Sequence, residues 1–250
     1  MQLRYISNFT DFDTFMYEPD VELIYSLRDR DIESADLIII PGSKNTMKDL
    51  LFLRENGIEE TVKRTVEKGI SLIGICGGYQ MLGGKIYDPF NVESIHKEVE
   101  GFGLLDIETT IQNTKITSQV EAPVIPHRFP FAVTDNGHES RLKGYEIHMG
   151  ETTGDIGLFS LSRLTPYDSR LTVIMDGSAK GNVGGTYIHG IFDNDRFRRS
   201  LINSLRVKKG LKPTEATVDY SKLRDNGINR WAKILKESID LAFIERLIRI

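Results

Sequence analysis

The chain has 250 residues, 40% hydrophobic and 27% charged, an ordinary globular balance that is long enough to bury a core unaided and unlike that of disordered or collagen-like chains. With 32 Lys and Arg against 36 Asp and Glu the net charge is −4, which argues against general nucleic-acid binding, where clustered cations face phosphate. A single cysteine excludes an internal disulfide and any multi-cysteine zinc or iron–sulfur site within one chain.

The N-terminus, Met1-Gln2-Leu3-Arg4-Tyr5, does not read as a signal peptide, and the early acids Asp11 and Asp13 argue against a transit peptide. Val21 to Ser26 reads as a strand, and Asp36 to Ile40 as a buried, nearly continuous apolar strand. That apolar run stops at Pro41, far short of the roughly 20 residues of a membrane span. The expected setting is the cytoplasm, with neither membrane nor nucleic acid as partner. Residues 58–68 form a helical pattern with Ile58, Val62 and Val66 on one face, Glu59 and Glu60 in the first turn, and Gly69 as the stop. Ser71 to Ile75 is a third strand, so strand, helix and strand form a βαβ unit in a mostly parallel α/β sheet.

Further on, Phe102 to Ile107, Phe129 to Val133, Gly157 to Leu161 and Leu171 to Ile174 are short strand-like pieces, which suggests antiparallel or mixed additions. Val183 to His189 reads as another core strand. A helix follows, capped by Asn194 or Asp195, with Phe197, Leu201 and Leu205 four apart. Residues 207–220 look like a linker before a last amphipathic helix with Trp231, Ile234, Leu235, Leu241 and Leu247.

The sharpest motif is Gly74-Ile75-Cys76-Gly77-Gly78-Tyr79-Gln80, which leaves a buried strand and opens a helix. Its G-x-C-x-G spacing is the cysteine version of a nucleophile elbow, in which small neighbours permit a strained turn. A helix N-terminus beyond Cys76 should lower the thiol pKa, and the Gly77 N–H can face an oxyanion. The bland alternative is a small buried cysteine. For a base, His189 stands first among five histidines because it ends a predicted strand, where catalytic groups of an open α/β sheet collect. His148, in Tyr145-Glu146-Ile147-His148-Met149-Gly150, stands second. Pro41-Gly42-Ser43-Lys44-Asn45-Thr46 lacks the phosphate-loop pattern. Gly42 and Ser43 read either as a turn presenting N–H groups to the elbow or as a simple strand-to-helix turn. No metal-ligand spacing is present, and Arg196, Arg198 and Arg199 read as a solvated face or one turned to a partner domain.

These residues resemble the class I glutamine amidotransferases. The strings I-S-N-F-T-D-F-D at 6–13, P-G-S-K-N-T at 41–46, Y-E-I-H-M-G at 145–150 and G-T-Y-I-H-G-I-F-D-N-D at 185–195 narrow the resemblance to the glutaminase part of the cobyric acid synthases. The related a,c-diamide synthases share the C-G-G turn but usually lack the Y-Q that ends here in Gln80. The resemblance implies an α/β fold, mostly parallel, a flavodoxin-like three-layer sandwich with some antiparallel additions. It implies a glutamine amidotransferase domain over residues 1–206, with residues 207–250 as a linker and helix packing on the same domain. It further implies that Cys76 attacks the glutamine amide and His189 moves the protons, while Gly42, Ser43, Gly77, Gln80, Tyr145 and His148 serve the oxyanion or substrate.

Two departures matter. The glutamate that usually lies two residues past the histidine is Ile191 here, which implies a Cys–His dyad, with Asp193 or Asp195 as loose substitutes. The family's N-terminal ATP-dependent amide ligase domain, with its phosphate loop, ATP and magnesium, has no counterpart in this sequence, so no cofactor is expected in the chain itself. The implied partners are glutamine, that ligase as domain or subunit, and through it a corrinoid, adenosylcobyrinic a,c-diamide. The competing readings are a non-catalytic regulatory or scaffolding module, and a cysteine hydrolase on a related flavodoxin-like fold.

Overall fold

The computed structural model describes residues 1–123, 141–164, 172–216 and 218–248. A 3₁₀ segment, Phe9–Tyr17, leads to α1 (Asp29–Glu33), β1 (Leu37–Ile40), α2 (Thr46–Glu55), α3 (Ile58–Glu67), β2 (Ser71–Ile75), α4 (Gly77–Leu82), β3 (Lys85–Tyr87) and β4 (Glu98–Glu100). The long strands β5 (Ile107–Pro123) and β6 (Arg141–Gly154) follow, then β7 (Phe159–Leu164), β8 (Thr172–Asp176), β9 (Ser178–Lys180) and β10 (Val183–Thr186). The helices α5 (Asp195–Lys208), α6 (Tyr220–Ser238) and α7 (Leu241–Ile248) close the chain.

Two sheets organise the molecule. The first has the order β1-β2-β10-β9, and the second runs β4-β3-β5-β7-β8 with β6 on β5. In the first, β2 is parallel to both β1 and β10, and all five β2 residues are buried. That is why its sequence is apolar without alternation. The register pairs Gly74 with Ile40 and Ile75 with Thr186, so three strands end level at one edge. The antiparallel additions gather into the second sheet, where β5 and β6 pair with a register shift between Ile111 and Ile116. Parallel core, flanking helices and antiparallel additions make this a flavodoxin-like α/β fold.

Several predicted elements differ. Val21 to Ser26 forms no strand. The N-terminus stands beside it instead, with Gln2 N donating to Ser26 O at 3.2 Å and the Met1 amine donating to Ile39 O of β1 at 2.6 Å. Residues 102–106 are irregular because their N–H groups serve the end of α4. Phe102 N donates to Met81 O at 2.7 Å, and Leu104 N and Leu105 N to Leu82 O at 2.9 and 3.0 Å, which satisfies carbonyls that a helix end leaves open. The stretch 129–133 lies outside the described residues. The core strand before His189 stops at Thr186.

Arg198 and Arg199 are buried rather than solvated. Glu18 takes Arg198 Nε at 2.7 Å on one oxygen and Arg199 Nη2 at 2.6 Å on the other. Asn194 does sit at the N-cap position of α5, but its amide bonds Lys143 N and Lys143 O at 2.9 Å, tying β6 to the start of α5. The last predicted helix is two helices, broken where Asp240 Oδ1 accepts from Phe243 N at 2.9 Å. Tyr220 meets Tyr17 with ring centroids 5.8 Å apart, whereas α6 and α7 bury no residue and Trp231 is 66% exposed.

Candidate active site

The level strand ends deliver three chain segments to one place: Pro41-Gly42-Ser43 after β1, Cys76 after β2, and Tyr187-Ile188-His189 after β10. Carboxyl ends of parallel strands are where such sheets hold their reacting groups. Cys76 sits at φ 51° and ψ −108°, a region that non-glycine residues occupy at a cost of about 1–3 kcal/mol. The turn is held by Cys76 N donating to Thr186 O at 2.9 Å and by Gln80 N donating to Cys76 O at 3.0 Å. The glycines explain its tightness. A Cβ on Gly74 would stand 2.7 Å from the Gly78 carbonyl, and one on Gly78 would strike Ile40 O.

The loop after β1 closes on the same turn. A Cβ on Gly77 would lie 2.9 Å from Ser43 N, and a Cβ on Gly42 3.2 Å from His189 Cε1. So the Gly42–Ser43 backbone is wedged between the elbow and the histidine. Asp49 of α2, fully buried, fixes this loop by accepting from Ser43 Oγ at 2.6 Å and Arg4 N at 3.1 Å. The N-terminal segment lies over it, with Ser7 N donating to Gly42 O at 2.9 Å and Lys44 N to Tyr5 O at 2.8 Å.

The thiol is not preformed as thiolate. Burial pushes Cys76 up to about 12, against the lowering by the Gly77 N–H, and the charges of Asp11, Glu93 and Asp176 add to the rise. The six-residue α4 does not offset that desolvation, which reverses the expectation from the helix terminus. The Cys76 thiol lies 3.7 Å from Ile147 O on β6.

His189 is 1% exposed. Its backbone pairs with Tyr145 in both directions, at 2.8 and 3.1 Å, and the Tyr145 ring stacks on the imidazole at 5.2 Å and 19°. Tyr145 thus braces the histidine. His189 Nδ1 lies 2.6 Å from Asp11 Oδ2, and Asp11 Oδ1 accepts Gly190 N at 3.1 Å. Nε2 is buried and has no hydrogen-bond partner among the described residues. Neither acid foreseen near His189 fills that place: Asp195 pairs with Arg198 at 2.8 Å, and Asp193 is raised to about 6 by burial. Asp11 lies in the I-S-N-F-T-D-F-D string, but 178 residues separate it from His189, so no local pattern points to this pairing.

Gln80 and His148 meet around Tyr187. Gln80 Oε1 accepts from Thr46 Oγ1 and its Nε2 donates to Tyr187 OH, both at 3.1 Å. His148 stacks on Tyr187 at 3.8 Å, with Nδ1 2.8 Å from Gly150 O and Nε2 3.5 Å from Glu146 Oε1. Glu146 is held in turn by Arg163 at 2.7 Å, and these residues line a cavity of about 530 Å³ with Asp176 and Tyr187. Among the described residues no cluster of three or more His, Cys, Asp or Glu is placed to hold a metal ion, and no helix is long and apolar enough to cross a membrane.

Comparison with known proteins bears on the family and the fold. A family described as the CobB/CobQ-like glutamine amidotransferase domain matches residues 1–197. The chain is 46% identical over 241 residues to a cobyric acid synthase of Thermodesulfovibrio yellowstonii, covering 96% of this chain and 46% of that protein. It is 42% identical over 250 residues to a cobyric acid synthase of Clostridium botulinum strain 657, covering 99% and 48%. The chain therefore spans about half the length of the curated relatives it matches. Among solved structures, PurLQS from Thermotoga maritima superposes with a TM-score of 0.52 at 18% identity, covering 81% of this chain and 95% of that one. A structure described as a glutamine amidotransferase gives a TM-score of 0.50 at 16% identity, covering 80% and 95%. At these identities the structures speak to the fold.

Proposed function

Since the chain belongs to the family of CobB/CobQ-like glutamine amidotransferase domains, we propose that it hydrolyses glutamine through Cys76 and His189. The observation that carries the reading is the strained, buried Cys76 elbow, level with a histidine whose Nε2 is free. His189 Nε2 takes the Cys76 proton as sulfur attacks the side-chain amide carbon of glutamine. The N–H groups of Gly77 and of Gly42 or Ser43 hold the oxyanion. As the C–N bond breaks, the imidazolium gives its proton to the leaving ammonia and a glutamyl thioester remains on Cys76. His189 then activates water, which releases glutamate and regenerates the thiol. A raised thiol makes this transfer to His189 part of the attack, not a prior ionisation.

The wider reading follows the resemblance and the names of the relatives. Ammonia passes to an ATP-dependent amide ligase, as domain or subunit, which holds ATP and magnesium and amidates adenosylcobyrinic a,c-diamide in the cytoplasm. Gln80, Tyr145 and His148 then act by shaping the site, with Tyr145 nearest the reacting groups. Ammonia release from glutamine by the chain, alone and with such a ligase, tests the reading. Activity that disappears in Cys76→Ala and falls on the order of 10²- to 10⁴-fold in His189→Ala is expected. Undiminished activity in His189→Ala would move the base to another residue, with His148 next.

A further inference from the structure

We propose that Asp11 is the positioning residue of the histidine, so that the acid of a Cys–His–Asp triad comes from the start of the domain rather than from the residues after His189. The proposal rests on the glutaminase reading for its chemistry but on geometry for its assignment. Asp11 Oδ2 and His189 Nδ1 stand 2.6 Å apart, with side chains only 3% and 1% exposed. Asn8 Nδ2 also faces Nδ1, at 3.1 Å, but the shorter contact is the one to the carboxylate, which accepts, so the hydrogen of this pair belongs on Nδ1. That leaves the lone pair on Nε2, the ring nitrogen with no partner among the described residues. Only this tautomer can take a thiol proton through Nε2.

Asp11 is itself held in two ways. Its other oxygen, Oδ1, accepts Gly190 N at 3.1 Å. Its neighbours Phe12 and Phe15 pack on Phe192, with ring centroids 6.2 and 4.9 Å away. The 3₁₀ segment is thus anchored on the same turn that carries His189, which keeps the carboxylate and the imidazole in register. Phe12 and Phe15 are both buried, so they seat the part of the segment that begins with Asp11 against the turn that carries the histidine, whereas Phe9 stays exposed.

Asp11→Asn separates positioning from mere structure. The asparagine Oδ1 keeps the Gly190 N–H, which leaves its NH₂ facing Nδ1. Two donors cannot share a bond, so the imidazole proton moves to Nε2 and the base is lost. Selective ¹⁵N-histidine NMR of the full chain reads the tautomer directly, with His189→Gln assigning the signal and the melting temperature of each variant as fold control. The expected result is an Nδ1–H tautomer in the wild type and Nε2–H in Asp11→Asn. In ammonia release, kcat falls on the order of 10²- to 10⁴-fold with KM for glutamine unchanged. A wild-type Nε2–H tautomer, or wild-type kcat in a folded Asp11→Asn, would overturn the proposal. If the wild-type chain releases no ammonia, the glutaminase reading is what fails. The wild-type tautomer then decides the Asp11 assignment alone.

Discussion

A thiol buried to the point where its pKa reaches about 12 needs its base at the moment of attack. This gives Cys76 a signature that an exposed cysteine lacks. Alkylation by iodoacetamide should be slow at pH 7, where the thiol is neutral, and should accelerate steadily as pH rises toward 10 and beyond. Intact-mass time courses at several pH values read it. A fast, pH-independent reaction at neutrality would mean an ionised thiolate. The elbow was legible in the sequence because glycines at 74, 77 and 78 are a local signal, and each has a close backbone neighbour in the structure. The thiol's ionisation was not legible. It depends on burial by β6 and on the charge of Asp11, which no local pattern displays. Asp11 itself is the same lesson, since the carboxylate lies far upstream in sequence and reaches His189 only through tertiary packing.

At the scale of elements, the parallel core followed from composition. Ser71 to Ile75 is a strand with the predicted bounds, and the helix read over 58–68 runs Ile58–Glu67, because continuous apolar strands and a 3.6-residue period are local properties. What misled were segments whose hydrogen bonds go elsewhere. Val21 to Ser26 has the strand composition but no neighbour to complete a ladder, and residues 102–106 cap α4. The basic run of α5 misled for another reason, since Glu18 lies 180 residues from Arg198.

Two substitutions test the elements. Gly78→Ala drives a methyl group into the backbone carbonyl of Ile40, a contact that no rotamer relieves. We expect a loss of about 3 kcal/mol or more in denaturant unfolding. Arg198→Ala leaves the Glu18 carboxylate short of a buried partner, and a loss of about 3–5 kcal/mol is expected. A near-neutral Arg198→Ala would show that Glu18 and Arg199 suffice by themselves.

The whole molecule carries a pH dependence near pH 6 to which two carboxylates raised by burial, Asp176 and Asp193, contribute. Asp176 joins β8 to β10 by accepting from Thr186 Oγ1 and Tyr187 N, and burial raises it from 3.8 to about 6. A raised carboxylate favours the folded state fully below its unfolded value, and that contribution is lost as pH rises through about 6. At pH 7.5 the fold must therefore hold an ionised buried carboxylate. Asp176→Asn, which stays neutral, should melt higher than wild type at pH 7.5, and the gap should narrow as pH falls toward 4. Thermal melts of the pair across that range check it, and a gap independent of pH would remove the assigned cause.

The same whole-molecule view joins the site to its proposed chemistry. Elbow, loop and histidine come from three strand ends, and the N-terminal segment lies over them, so this constellation exists only when the domain is folded as a unit. The direct measurement is modification by 6-diazo-5-oxo-L-norleucine, a glutamine-analogue electrophile, read by intact mass on the wild-type chain and Cys76→Ala, alone and with an added ligase domain. A single adduct on the wild type that is absent from Cys76→Ala is the predicted result. An unmodified wild-type chain under both conditions would contradict glutamine hydrolysis at Cys76.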